Sequence, residues 1–292
     1  MIVVLGATGA IGGAVARRLA QQGVPFRAVV RRAGVDVPGA EVVRADLDDP
    51  ASLPAALAGA EQLFLNAGGA VPADGEQPMV AQQVAAVDAA VAAGVRHIVK
   101  ISVQGATPGR PLAVGAHAGI EAHLAASGLE DTVLRPSGFF QNLLTGVSAF
   151  TDEGDLLDPY DGGAVGYLDA DDIGAVAAAA LTGAAPRGGV HTLTGPRLLT
   201  HDDLAGALAP VLGRRVGVVP LPPDEVVAFL VDRGLSATFA QDVAELSRGA
   251  AAGELAELTD AVERLTGRPP RDVTDFVAEH ADDLRRVVPQ PV

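Results

Sequence analysis

Along the first half of the chain, short runs of β-branched and apolar residues alternate with longer Ala- and Leu-rich stretches whose apolar positions recur at helical spacing. Short apolar runs of about four to eight residues suit buried strands, whereas roughly ten or more residues with a period near 3.6 suit helices. The pattern predicts strands over 2–5, 26–30, 41–44, 62–66, 97–102 and 132–135, with helices over 11–22, 52–58, 78–93 and 114–127. Gly23, Gly59, Gly94 and Gly128 each follow a helical stretch, where a left-handed cap favours glycine. Strands separated by helices of this length cannot pair as hairpins, so the expectation is an α/β fold with a doubly wound parallel sheet. The rhythm changes after Pro136. Pro and Gly become denser over 154–166, a strand is predicted over 163–168, a helix over 171–181 and a short strand over 191–193. Beyond Thr200 the chain is mainly helical, with breaks at 220–223 and 267–270, and Thr200 with Asp203 forms a capping box.

Composition narrows the function classes. Of 292 residues, 49% are hydrophobic but only 3% aromatic, so Ala, Val, Leu and Gly must build the core, as tightly packed parallel sheets require. Lys100 is the sole lysine and arginine supplies the rest of the 21 basic residues, a bias of GC-rich coding. A net charge of -15 argues against nucleic acid or an anionic membrane as partner, since a phosphate-tracking surface needs clustered cations. Cysteine is absent, which removes disulfides, thiol nucleophiles and Cys-ligated metal. The six histidines are scattered without metal-ligand spacing, and no metal is expected. The apolar opening 1–5 is too short for a signal peptide, and nothing approaches 18 unbroken apolar residues. A cytoplasmic protein acting on a small molecule is the expectation, as a monomer or a homodimer.

Gly6-Ala7-Thr8-Gly9-Ala10-Ile11-Gly12 directly follows the first strand and opens the first helix. Gly6 permits a sharp turn, Gly9 lets backbone approach a pyrophosphate, and Gly12 lets helix and strand sit close. Helix N-terminal amides then face the phosphates. A ligand-free glycine turn is the plain alternative, but strand, spacing and helix all agree with a dinucleotide. The second strand ends in Arg31-Arg32, where NAD binders place an acid for the ribose and NADP binders an arginine for the 2′-phosphate. This favours NADP(H), the alternative being a solvated arginine pair.

With these residues in place, the chain resembles the atypical short-chain dehydrogenase/reductase group, in particular its NmrA-like and triphenylmethane-reductase-like branch. The resemblance spans nearly the whole chain. It is carried by the glycine turn, Arg31, Ala45-Asp46-Leu47, residues 63–68 and 98–102, His117-Ala118-Gly119-Ile120-Glu121, Ser127-Gly128-Leu129, the stretch from Leu134-Arg135-Pro136 through Phe140-Gln141-Asn142, and 167–173. It implies a Rossmann-type NADP-binding domain over 1–136, joined by helix 171–182, and a smaller mixed α/β lobe over 137–292 that mainly binds substrate. It also implies that Asp46 and Leu47 lie by the adenine, although a turn role for Asp46 fits equally. Asn66, Ala67 and Gly68 would run under the ribose and nicotinamide side, Ser102 would stand by the reacting centre, and Pro136 to Phe139 and Phe140 would pass the nicotinamide.

Ordinary short-chain reductases use Tyr-x-x-x-Lys with a serine. Here Tyr160 and Tyr167 are the only tyrosines and neither precedes a lysine by four. Where the tyrosine helix should begin stand His117 and, one turn on, Glu121, which share a helix face. The carboxylate is expected to orient the imidazole or raise its pKa, making His117 a proton donor; a structural role for both is the alternative. His123 lies on another face and is expected to be solvated. Three proton routes stay open: His117 itself, Ser102 through water, or the substrate's own phenol. Asp169, Asp171 and Asp172 are expected to cap and charge a helix start. The expected activity is hydride transfer from NADPH to a ketone or quinone-like group of a hydrophobic substrate, with Phe139, Phe140, Leu143, Leu144 and Phe150 near the cleft. By analogy, an aromatic polyketide ketoreductase of antibiotic biosynthesis is the specific expectation. The rival is an NmrA-type NADP(H)-sensing regulator without catalysis, and an isomerase or ether reductase is a smaller third possibility.

Overall fold

The computed structural model describes residues 1–145 and 150–290. Its strands are β1 (Ile2–Val4), β2 (Phe26–Val30), β3 (Ala40–Arg44), β4 (Gln62–Leu65), β5 (His97–Ile101), β6 (Glu130–Pro136), β7 (Leu156–Asp158), β8 (Gly189–Leu193) and β9 (Val218–Pro220). Seven of them form one sheet in the order β3-β2-β1-β4-β5-β6-β8, every neighbouring pair parallel. β7 and β9 pair with each other in a separate parallel ribbon. The doubly wound α/β sheet expected from the sequence is the fold observed. Its strand order reverses between β1 and β4, and at such a switch point the carboxyl edge of the sheet opens a crevice.

The helices are α1 (Ala10–Gln21), α2 (Leu53–Leu57), α3 (Pro78–Ala93), α4 (Leu112–Ala126), α5 (Asn142–Thr145), α6 (Ala170–Thr182), α7 (His201–Leu212), α8 (Pro223–Val231), α9 (Ala237–Ala251), α10 (Ala261–Thr266), α11 (Val273–Glu279) and α12 (Ala281–Val287). Successive strand residues point to opposite faces, and the core divides accordingly. Ile2, Val4, Phe64, Val99 and Leu134 pack with α1 and α6 on one face. Val3, Leu63, Leu65, Ile98 and Val133 pack with α2, α3 and the end of α4 on the other. A third core, around Phe140, Tyr167, Leu208 and Phe276, fills the later half of the chain.

The first layer does not end at Pro136. β8 adds to β6 as the seventh strand, and α6 lies against α1. The acidic cluster at the start of α6 does more than cap it. Asp169 accepts from Asp171 N–H as the N-cap, Asp171 pairs with Arg18 of α1, and the fully buried Asp172 accepts from Arg271 N–H at 2.7 Å with Arg268 at 3.1 Å. These pairs tie α1, α6 and the chain before α11 together.

The strand expected over 163–168 does not form. Val165 bonds to Leu199, Gly166 to Leu255 and Leu168 to Gly138, so each residue finds a different neighbour and no ladder can propagate. Val165, Tyr167 and Leu168 are all buried, which a short apolar run signals without saying what covers it. Among the described residues, no helix is long and apolar enough to cross a membrane.

Ile173 is fully buried between α6 and the sheet. Ile173→Ala is expected to cost about 2–5 kcal/mol of unfolding free energy, read from urea denaturation. A loss no larger than that of the exposed Val219→Ala would mean that α6 lies outside the cooperative core.

Candidate active site

The crevice is built from backbone first. Leu5 N–H continues the β1 ladder onto Phe64 O at 3.0 Å, and the chain then turns at Gly6 with φ +71°. A Cβ on Gly6 would stand 2.8 Å from Asn66 O, and one on Gly12 would overlap the Gly6 carbonyl, so neither position admits a side chain without moving the turn. α1 starts behind Gly9 with no side-chain cap and no acid in its first turn. Its leading N–H groups and the positive end of its dipole are therefore left for an external anion.

A cleft of about 1120 Å³ opens in front of this turn. Gly6, Thr8 and Gly9 line one side, Arg31, Arg32, Asp46 and Leu47 another, and Asn66, Ala67 and Gly68 the floor beyond β4. Arg31 and Arg32 are exposed, and among the described residues neither has a carboxylate within ion-pair distance. Asp46 also holds a turn, with its carboxylate accepting from Asp48 N–H at 3.1 Å and its carbonyl from Asp49 N–H at 3.0 Å. Pro78, Met79 and Gln82 of α3 complete the wall, positions that the sequence analysis did not single out.

Other expected site residues fall elsewhere. The side chain of Ile11 is buried in the core under α1, leaving only its backbone to the turn. Gly12 is buried against Gly6 and acts as a spacer. Phe140 and Leu143 were expected at the substrate cleft. Instead they are 1% and 3% exposed and pack in the third core, Phe140 between Tyr167 and Phe276. Leu144 and Phe150 lean on the same core, and Phe139 packs against the first, each keeping part of its surface. Pro136, Phe139, Ser102 and His117 do not line the cleft.

Ser102 and His117 belong to a polar cluster behind the end of β5. Ile98, Lys100 and Ser102 alternate onto the sheet face that α4 covers, as do Val133 and Arg135 of β6. Lys100 is level with Val133 and with Leu65. Lys100 Nζ donates to Ile101 O at 3.0 Å and lies 2.8 Å from His117 Nδ1. The Ser102 hydroxyl donates to Glu121, whose carboxylate also takes a fork from Arg135 at 3.1 and 2.5 Å.

Glu121 therefore does not orient His117, contrary to expectation. Arg135, a cation with a planar fork, and the Ser102 hydroxyl engage both its oxygens, and the imidazole faces lysine instead. The histidine pKa is not raised but lowered to about 3, by burial first and by the Lys100 charge second. Burial lowers Lys100 to about 7, with Glu121 pulling it up and Arg135 pushing it down. His123 is not simply solvated either: it meets Asp88 at 2.7 Å. Ser137 Oγ and Gln104 Oε1 are buried beside the ends of β6 and β5 without a partner among the described residues, two further polar atoms that the sequence analysis missed.

A phosphate seat at the carboxyl edge of a doubly wound sheet defines the Rossmann-type dinucleotide-binding proteins. Within that class the chain belongs to the NmrA-like family, whose model matches residues 1–264. It is 34% identical over 290 residues to an NAD(P)H azoreductase of Xenophilus azovorans, covering 96% of this chain and 98% of that one. The structure resembles a Citrobacter sp. triphenylmethane reductase solved with NADP(H), at a TM-score of 0.80 and 26% identity over 96% of this chain and 99% of the other. An NADPH-dependent quinone oxidoreductase of Escherichia coli, solved with NADPH, matches at a TM-score of 0.79 and 29% identity, again over 96% and 99%.

The Glu121–Arg135 pair is largely shielded from water, at 12% and 26% side-chain exposure. Glu121→Ala and Arg135→Met are each expected to cost about 3 kcal/mol, because either leaves a buried charge unmatched. The double variant is expected to recover part of that loss, giving a coupling energy of about 1–3 kcal/mol in a thermal or urea cycle. Simple additivity would show that the two side chains act independently.

Proposed function

We propose that this protein transfers hydride from NADPH to a hydrophobic, conjugated acceptor of quinone or aromatic-ketone type. The chain is an NAD(P)H-dependent oxidoreductase, and NADP(H) is its cofactor. The observation that carries the reading is the uncapped start of α1 in the same cleft as two arginines that have no carboxylate partner among the described residues. The amides behind Gly9 would hold the pyrophosphate, and Arg31 with Arg32 the 2′-phosphate. Bound NADPH supplies the hydride.

The related enzymes support the acceptor class. Azo groups, triphenylmethane dyes and quinones are all extended π-systems, in which the electron pair displaced by hydride settles on a heteroatom. Such an acceptor needs a flat hydrophobic site and a proton source, and it makes a weaker demand on an acid than an isolated ketone does. His117, neutral at physiological pH, is the side chain we assign as donor. Ser102, its hydrogen given to Glu121, keeps its oxygen free to hold a water. Polycyclic ketones and quinones of polyketide type are the narrower acceptors we expect to react best.

Oxidation of NADPH, followed by loss of the reduced nicotinamide absorbance against quinones, azo compounds and polycyclic ketones, tests the reading. Turnover is expected with NADPH favoured over NADH. Arg31→Ala combined with Arg32→Ala should raise the KM for NADPH by about tenfold or more, as loss of charged hydrogen bonds worth roughly 1.5–3 kcal/mol implies, while sparing NADH. Equal losses with both cofactors would refute the 2′-phosphate assignment. Tight NADPH binding without turnover across the whole panel would replace the reductase by a dinucleotide sensor.

A further inference from the structure

We propose that Lys100 is a positioning residue that holds His117 as the Nε2–H tautomer and refills its proton from behind during reduction. The inference rests on the reductase reading and adds the route by which the donor is recharged.

The placement follows from the sheet. Lys100 is wholly buried on a strand that is covered on both faces, and its side chain is directed by strand alternation onto α4. A buried ammonium needs acceptors for its hydrogens. Two are in place, Ile101 O and His117 Nδ1. An ammonium has no lone pair, so where it meets an imidazole nitrogen that nitrogen must be the acceptor. The ring proton of neutral His117 then has to sit on Nε2. Nε2 has no partner among the described residues, and it is not among the atoms sealed from solvent. It is the end of the ring turned away from Lys100 and left free to donate. Lys100 is level with Leu65, the residue before Asn66, where the cleft floor begins.

The charged groups around the pair are Glu121 from α4 and Arg135 from β6, with Asp131 further back along β6 and coupled to Glu121. Glu121 is engaged by Ser102 and Arg135. It compensates the arginine at close range and leaves the lysine only partly offset. Burial and Arg135 outweigh it, so Lys100 gives up its proton near pH 7, where a relay can use it.

The step balances without any further reactant. Hydride adds to the acceptor and its electron pair leaves a heteroatom negative. That atom takes the Nε2 proton of His117. Nδ1 takes a proton from the Lys100 ammonium as Nε2 loses its own. His117 ends neutral in the other tautomer and Lys100 ends as the free amine; the pair resets when Nε2 takes a proton from solvent as Nδ1 returns its own to the buried amine.

Lys100→Met keeps the length and removes the proton. Folding is checked by denaturation. Lys100 binds fewer protons folded than unfolded between about pH 7 and 10.5, so wild-type stability should rise with pH across that window. Lys100→Met should lack that rise and be no less stable at neutral pH. Nitrogen-15 NMR of labelled histidine then reads the tautomer directly, apart from activity. His117 is expected as Nε2–H below pH 7 in the wild type and as a tautomer mixture in Lys100→Met. In turnover, wild-type kcat should fall about tenfold per pH unit above pH 7. Lys100→Met should be at least about tenfold slower, lack that limb, and keep its KM for NADPH. An unchanged tautomer in the variant, or a pH limb that persists in it, overturns the proposal. Absence of turnover in the wild type itself overturns the reductase reading and with it the relay, while the NMR arm still decides whether Lys100 sets the tautomer.

Discussion

A strand covered on both faces has no water for its polar side chains, and β5 is such a strand, with every residue from His97 to Ile101 buried. Each polar group in it must be matched from inside the protein. His97 meets Gln62 of β4 at 3.1 Å and Thr132 of β6 at 2.9 Å, Lys100 meets α4, and Ser102 meets Glu121. Slipping β5 by one residue would turn Lys100 and Ser102 onto the α1 and α6 face, among Val99, Phe64 and Leu134, and would turn His97 off it. Polar matching thus fixes the register of β4, β5 and β6 together with the rotation of α4. The ends of those same strands lead into the cleft floor at Asn66 and the Ser102–Glu121 contact.

The two ends of the crevice are specified by different means. The glycine-turn end is backbone: Gly6 and Gly12 allow a close approach that no side chain would permit, and by our proposal the uncapped amides of α1 would hold the pyrophosphate. The other end is side chains on a rigid frame, where a histidine on α4 leans on a lysine from the sheet. In an ordinary short-chain reductase, lysine and tyrosine share one helix. Here the cation comes from the strand beneath, so the missing Tyr-x-x-x-Lys spacing removes the motif while a buried lysine still pairs with a side chain on α4, His117, the donor we propose.

Much of this was legible in the residues alone. Six strands of the layer followed from alternating apolar runs and helical stretches, and the sharp glycine turn from three glycines between strand and helix, because both depend on short-range pattern; β8 was read as part of the later lobe. Pairing across elements was not legible. His117 and Glu121 share a helix face at spacing four, which suggested that they meet, yet Arg135 outcompetes the imidazole for the carboxylate. A usable signal existed: a lone lysine two residues before Ser102 in a buried strand must point the same way as Ser102, toward the helix that carries His117. Phe140 and Leu143 were misplaced because apolar residues after a strand fit a substrate wall or a core equally well. The residues that decide between them, Tyr167 and Phe276 among them, come far later in the chain.

Charge makes the same point from the other direction. With 36 acidic and 21 basic residues, the chain has carboxylates to spare for almost any arginine. Arg18, Arg110, Arg197 and Arg271 each find one, and Arg197 holds Asp272 down to about 2. Among the described residues, Arg31 and Arg32 stand without one on the cleft wall, although the acidic stretch 46–49 is close by in sequence. Two guanidinium groups left unmatched amid an excess of acids keep their full attraction for an incoming phosphate, while the net charge repels polyanions from the rest of the surface. The 2′-phosphate role we propose for Arg31 and Arg32 needs only that local exception, and a global count of charges cannot reveal it.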